Sequence, residues 1–254
     1  MFTRAQIIRI ADAQSVSAQV VERDYALAHA VSAIANEDKQ GTLVFKSGTS
    51  LRLIHFEDYR YSADLDFSLG MGTTDQAVRL IQRAFSNRTD GAIELALVFD
   101  QRQLRVEYQG PLGRKRDLKL DISADELVVD TEHAPLLPIW SDVPQASVHV
   151  YTLVEAASEK LRCGLQRLQC RDIYDLFKLL VLEKVDAPGA RESFLKKGLH
   201  KGLDVDSFAR HYQERSPRYE ARVNDELGRY MNDVPPFEEV DRRVRRVLRS
   251  IGLL

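Results

Sequence analysis

The sequence predicts an α+β fold: strands mixed with helices up to about residue 150, then a helical region over residues 151–254. Three observations predict it. Apolar residues recur at helical spacing over about the first forty positions. Between Thr42 and Tyr151 runs of period two alternate with two helical stretches, and from Thr152 onward the pattern is all helix. At roughly 100–200 residues per domain, 254 residues make one large domain or two modest ones, with a core that needs no disulfide. The predicted division is a sheet domain over residues 1–150, with N-terminal helices, and a helical domain over residues 151–254.

The elements follow in order. Val20, Leu27, Val31 and Ile34 form the apolar stripe of an N-terminal helix. Thr42 to Phe45 is a β-prone run that ends at Lys46-Ser47-Gly48-Thr49, and a short helix is expected from Ser50 to about Phe56. Ala63 to Leu69 has strand period, with Leu65 and Phe67 pointing one way and Asp64 and Asp66 the other. Thr73 and Gln76 suit a capping box ahead of a helix carrying Val78, Ile81 and Phe85. Ile93, Leu95 and Leu97 alternate, as do Leu104, Val106 and Tyr108, and Leu118, Leu120 and Ile122. Gly110-Pro111 and Gly113 mark a turn between the last two strands. Residues 125–146, with Pro135, Pro138 and Pro144, read as an irregular connection before a strand at Ser147–Tyr151. Thr152 and Glu155 suggest a second capping box, opening a helix with Leu153, Ala157, Leu161 and Leu165. Ile173, Leu176 and Leu180 mark another helix, and Pro235-Pro236 opens a last one with Val240, Val244, Leu248 and Ile251.

Composition excludes several classes. Lys and Arg number 36 against 38 Asp and Glu, a net charge of −2, so the chain is neither a basic nucleic-acid coat nor an acidic tail. No run approaches the roughly 18 apolar residues of a membrane span, and the N-terminus lacks the apolar run of a signal peptide. Cys163 and Cys170 make neither a disulfide framework nor a zinc signature. The expected setting is cytoplasmic, with no membrane partner.

The informative feature is Asp64-Leu65-Asp66. Carboxylates at i and i+2 on a strand share a face, and two of them that close repel when ionised. A divalent cation removes that penalty, and hard oxygen ligands suit Mg²⁺ or Mn²⁺. Asp121 sits between Leu120 and Ile122 and faces away from them. If the two strands are neighbours, Asp64, Asp66 and Asp121 form an acidic triad able to hold metal and activate an oxygen for phosphoryl transfer. The plain alternative is a solvated sheet edge. Upstream, Lys46-Ser47-Gly48-Thr49-Ser50 joins a strand to a helix, where glycine lets backbone N–H groups approach a phosphate. The plain alternative there is a turn with an N-cap, and the Walker spacing is missing.

The string FKSGTSLRLIHFEDYRYSADLDFSL resembles the signature of the AbiEii/AbiGii-type nucleotidyltransferase toxins, which include the mycobacterial MenT proteins and belong to the DNA polymerase β-like nucleotidyltransferases. Lys46, Gly48, Thr49, Ser50, Leu51, Arg60, Ser62, Asp64, Leu65, Asp66 and Phe67 carry the match. Val21-Glu22-Arg23-Asp24-Tyr25 is similar to that family's N-terminal helix. Glu159-Lys160-Leu161, Arg167 and Arg171-Asp172-Ile173-Tyr174-Asp175-Leu176 are similar to its later motif. Ser47 departs from the pattern, standing where the family usually has its first glycine.

The resemblance implies a polymerase β-like mixed sheet followed by a helical domain that completes the nucleotide cleft. It implies metal ligands at Asp64, Asp66 and Asp121, and a triphosphate cradle at Lys46, Ser47, Gly48, Thr49 and Arg60. Lys160, Asp172 and Asp175 would line the cleft, with Lys160 offsetting triphosphate charge. By the residues alone, Lys160 is a solvated or snorkelling lysine, and the two aspartates are acids favouring a helix N-terminus. Asp175 is the expected holder of Lys160, and Asp172 the partner of Arg171 or a neighbouring arginine.

The activity so implied is that of a toxin in a toxin–antitoxin pair: transfer of NMP from an NTP to an acceptor hydroxyl, in the MenT branch the tRNA 3′ end. The partners are then NTP, a tRNA acceptor and a cognate antitoxin. Two alternatives stand beside it: transfer to protein hydroxyls or a small molecule such as an aminoglycoside, and a non-catalytic module that binds nucleotide or antitoxin. An RNA acceptor needs local positive charge. The candidates are Arg102 with Arg105, the Arg114-Lys115-Arg116 turn (the favoured one), Lys196-Lys197 with Lys201, and Arg242, Arg243, Arg245, Arg246 and Arg249.

Overall fold

A computed structural model describes residues 2–86, 93–100, 103–167 and 169–254. Among these the elements run α1 (Arg4–Ala13), α2 (Ala18–Glu37), β1 (Leu43–Lys46), α3 (Ser47–Ser50), a π-helical turn (Leu51–His55), β2 (Leu65–Leu69) and α4 (Thr74–Phe85). They continue with β3 (Glu94–Asp100), β4 (Gln103–Gln109), β5 (Lys115–Ser123), β6 (Thr131–Pro135) and β7 (Ser147–Tyr151). Then come α5 (Leu153–Gln166), α6 (Cys170–Leu176), a second π-helical turn (Phe177–Leu182), α7 (Ala187–His200), α8 (Phe208–Glu220), α9 (Val223–Leu227) and α10 (Phe237–Ser250). The chain divides into two compact units: Met1–Asp125 with Glu132–Val150, and Glu126–Thr131 with Tyr151–Leu254.

The first unit is built on a mixed sheet of order β3-β4-β5-β2-β1-β7-β6. Its long antiparallel ladder is β3–β4–β5, while β2 runs parallel to β5 and antiparallel to β1. Alternation gives one face Phe45, Leu65, Phe67, Leu118 and Leu120, all buried. Phe45 and Phe67 stack across the ladder with ring centroids 5.2 Å apart. Burying one such phenylalanine contributes about 1.5–3 kcal/mol.

The Glu22–Tyr25 stretch of α2 proves to be a clamp. Glu22 accepts from the Leu112 N–H at 2.5 Å and from the Arg116 guanidinium. Asp24 accepts from Arg52 at 2.8 Å and from the Trp140 indole at 3.2 Å. The Tyr25 hydroxyl donates to Asp142 at 2.7 Å. Each buried charge is thereby matched, as burial demands.

The second unit is helical beyond Tyr151. Its final helix buries Val240, Val244 and Leu248 along one stripe. A network around Lys197 holds α7 to α5: the ammonium meets Glu155 at 2.6 Å and donates to the Leu127 carbonyl at 3.0 Å.

Four local expectations change. The helix after β1 begins at Ser47, not Ser50, because the chain turns at once through a positive φ. The proline-rich connection contains β6, which lies at the sheet edge, where Pro135 ends the strand without breaking an interior ladder. On α4 the buried stripe is Ala77, Leu80, Ile81, Ala84 and Phe85, leaving Val78 half-buried. At Thr152 only half the capping box forms: Thr152 accepts from the Glu155 N–H, but the Glu155 carboxylate goes to Lys197 and the Val129 N–H.

Candidate active site

The acids of the first unit meet through strand register. Asp66 on β2 lies opposite Asp121 on β5 and opposite Lys46 on β1. The period of two puts all three on the face away from Phe45, Phe67 and Leu120. Asp64 precedes β2 and shares the parity of Asp66. Ser68 and Ser123 lie one step further along the same face, and the Lys46 ammonium donates to Ser123 Oγ at 3.0 Å. One side of the sheet is therefore a core, and the other carries paired charges.

The turn after β1 is held in three ways. Thr49 Oγ1 donates to the Asp64 carbonyl at 2.6 Å, tying the turn to the start of β2. Gly48 lies under the Arg60 guanidinium: a Cβ there would come within 2.7 Å of an Arg60 nitrogen. Arg60 is buried and donates to the Tyr61 carbonyl at 3.2 Å. Ser47 adopts φ +69°, the left-handed region that costs an L residue about 1–2 kcal/mol. Its hydroxyl hydrogen-bonds the Asp66 carboxylate. A glycine would adopt that backbone freely but could not make that bond.

Electrostatics at Asp66 are unfavourable for its charge. Burial pushes its carboxyl above the usual range and the charge of Asp64 adds to the rise; the Ser47 bond and Lys46 oppose it, and Asp121 adds again. Lys119, two residues from Asp121 on β5, donates to the Asp121 carboxylate. The register thus brings Asp66 and Asp121 together on one face, with Asp64 just ahead of β2, but Asp121 is turned to Lys119. Among the described residues, no three His, Cys, Asp or Glu side chains are arranged as a ready metal-ion site. In kind, though, the donors suit a hard divalent ion: they are carboxylate oxygens that repel one another, and an ammonium already stands in as a cation among them.

In the second unit, Lys160 is a buried lysine rather than a solvated one. Its ammonium lies 3.0 Å from Asp172 and 2.7 Å from Asp175, and both acids are fully buried. Asp172 also accepts from the Gln169 N–H at 3.0 Å, as half of a capping box, and its second oxygen faces Arg167 at 3.7 Å. The nearby arginine is therefore Arg167, and Lys160 is shared between the two acids. Burial raises the Asp172 pKa and Lys160 lowers it, with Arg167 helping; the net effect is a lowered value. Burial pushes the Cys163 thiol up to about 11, which leaves it inert.

The basic candidates divide sharply. Lys197 is buried and committed to Glu155, and Arg116 is committed to Glu22, so neither is an RNA contact. Arg114 and Lys115 are exposed, but Lys115 lies six residues from Asp121 on β5, roughly 20 Å by strand rise. Lys196 pairs with Glu192, and Arg105 with Asp117. Arg243 pairs with Glu239, and Arg245 with Asp241 and Ser216. Arg242, Arg246 and Arg249 remain exposed, lining a groove on α10 with Glu239 and Arg243. Arg102 lies outside the described residues.

The model of a family described as nucleotidyl transferase AbiEii toxin, type IV TA system, matches residues 29–249. The chain belongs to the AbiEii family. It is accordingly a nucleotidyltransferase of the toxin half of a toxin–antitoxin system, with NTP as substrate and an antitoxin as partner. Its fold is similar to that of MenT4, a nucleotidyltransferase toxin from Mycobacterium tuberculosis H37Rv, at TM-score 0.73 and 22% identity over 100% of this chain and 89% of that one. A candidate nucleotidyltransferase from H. pylori gives TM-score 0.56 and 18% identity, covering 91% of this chain and 95% of that one. Among curated proteins none matches the sequence at significance. These likenesses show the α+β fold, a mixed sheet with helices, that was expected of the chain. Among the described residues, no helix is long and apolar enough to cross a membrane.

Proposed function

We propose that this AbiEii protein transfers NMP from an NTP to the 3′ end of tRNA in the cytoplasm, with Mg²⁺ or Mn²⁺ held by Asp64, Asp66 and Asp121, so that the tRNA can no longer be aminoacylated. The observation that carries the reading is the register of Asp66 opposite Asp121 and Lys46, on the face that follows directly from the Ser47–Thr49 turn. The metal, when bound, supplies charge neutralisation and lowers the pKa of an attacking hydroxyl.

The chain's own groups have separate tasks. Asp64 and Asp66 would hold the metal, and Asp66 with Asp121 would serve the acceptor hydroxyl. Ser47, Gly48 and Thr49 offer the backbone of the turn to the triphosphate, with Lys46 and Arg60 supplying positive charge beside it. Lys160, fixed by Asp172 and Asp175, offsets the charge of the leaving pyrophosphate, which is worth most where water is scarce. The sheet domain of residues 1–150 and the helical domain of residues 151–254 are the parts on which these tasks fall. For an RNA acceptor, Arg242, Arg246 and Arg249 are the α10 side chains free to meet a phosphodiester backbone in that they are exposed, whereas Arg243 and Arg245 are paired.

The test is incubation of purified protein with Mg²⁺, each labelled NTP in turn and total tRNA. Label should move onto RNA with one or more NTPs and fall by at least about a thousandfold in Asp66→Ala. Label on polypeptide, or only on an added small acceptor, would replace tRNA as the acceptor. Absence of transfer with every NTP and every acceptor would overturn the reading.

A further inference from the structure

One cation on the acidic face has no part in the scheme above. Lys119 and Asp121 are two residues apart on β5 and share a face. The Lys119 ammonium donates to Asp121 Oδ2, and the two side chains are 43% and 40% exposed. The cross-strand neighbour of Lys119 on β4 is Arg105, but that guanidinium goes to Asp117, on the side remote from Asp121. Of the two cations in that row, it is Lys119 that reaches the acids. Lys46, on the other flank of Asp66, is buried and directed to Ser123.

We propose that Lys119 is a resident counter-ion of the acidic face: its ammonium holds the Asp121 oxygen that a divalent cation requires, and metal binding displaces it onto the phosphates of the substrate. The inference rests on the reading of Asp64, Asp66 and Asp121 as metal ligands. Three carboxylates gathered by register repel one another, and in the metal-free fold something positive must offset them. A half-exposed ammonium on a flexible stem does this cheaply and leaves cheaply, because an exposed ion pair is weak. A divalent ion brings twice the charge and accepts several oxygens at once, so it displaces the lysine from Asp121. The released ammonium stays on the same face, roughly 7 Å from Asp121 by strand rise, within reach of a phosphate oxygen.

The consequence is a coupling between metal and nucleotide. Without NTP, Lys119 competes with the metal; with NTP, its charge is taken up by phosphate and the competition ends. Lys119 is thus a positioning residue: it sets when the acids become available.

The test titrates Mn²⁺ alone into the full chain and into Lys119→Met, Lys119→Gln and Lys119→Arg, reading affinity by calorimetry. Lys119→Met and Lys119→Gln should bind Mn²⁺ several-fold to about tenfold tighter than the parent, with Lys119→Arg near the parent. The same two variants should show a larger rise of melting temperature on adding Mg²⁺, and a raised KM for NTP with kcat little changed. A lysine with only a structural role would lower the melting temperature equally with and without Mg²⁺. Parent and Lys119→Gln binding Mn²⁺ equally well would overturn the inference and leave the metal-site reading intact. A parent chain that binds no Mn²⁺, with or without NTP, would overturn both.

Discussion

The acidic face of the sheet and the lysine cluster of the helical unit solve the same problem in opposite ways. Around Lys160 the charges are buried and saturated: two fully buried acids share one ammonium, with Arg167 and a backbone N–H taking up the rest of Asp172. Around Asp66 the charges are partly open and mismatched: three acids share a face with a half-exposed lysine, and the turn beside them holds a serine at φ +69°. Burial forces the first arrangement, because an unmatched charge there costs several kcal/mol. Access to water permits the second, and the residual imbalance is what an incoming cation can relieve. Strain and excess charge collect on the half-open acidic face, and complete pairing in the buried cluster.

That contrast can be broken by mutation, and the largest effect belongs to the buried cluster. Lys160→Met should destabilise the protein by about 3–5 kcal/mol in urea unfolding, since it leaves Asp172 and Asp175 buried without their ammonium. Adding Asp172→Asn and Asp175→Asn to it should recover most of that loss. On the acidic face, Asp64→Asn should leave stability unchanged or raise it, because it removes a repulsion. Equal losses at both places would dissolve the distinction.

A smaller effect is expected at Gly48→Ala, whose Cβ must push the buried Arg60 guanidinium aside. A cost of about 1–2 kcal/mol should appear in thermal unfolding, and KM for NTP should rise as Arg60 leaves the turn. Smallest is Ser47→Gly. It relieves a strained backbone and should raise stability by up to about 1 kcal/mol, less whatever the lost bond to Asp66 contributed. Nucleotidyl transfer should fall at the same time, so that stability and activity move in opposite directions. A variant both less stable and fully active would show that the serine is retained for packing alone.

Much of this was legible in the residue order. The parity of Asp64 and Asp66 against Leu65 and Phe67 places both acids on one face whatever the rest of the chain does, and Asp121 between Leu120 and Ile122 is set in the same way. Lys119 shares the parity of Asp121 and was equally open to view. The capping box at Thr73–Gln76 formed as spelled, whereas that at Thr152–Glu155 formed by half, because a buried Lys197 offered Glu155 a stronger partner than its own helix end. The Arg114–Arg116 turn shows the opposite failure: a run of like charges looked like one surface, but Glu22, far away in sequence, claims Arg116.

Local chemistry therefore decided the elements, the faces of the strands and the kinds of atoms each face presents, because a period of two or 3.6 needs only near neighbours in the chain. Tertiary structure decided the strand order, which sets Asp66 against Asp121 and Lys46, and it decided which charges are spent on the fold. Ion pairs between distant segments exist only once the chain has brought them together, and burial then selects those that are fully matched.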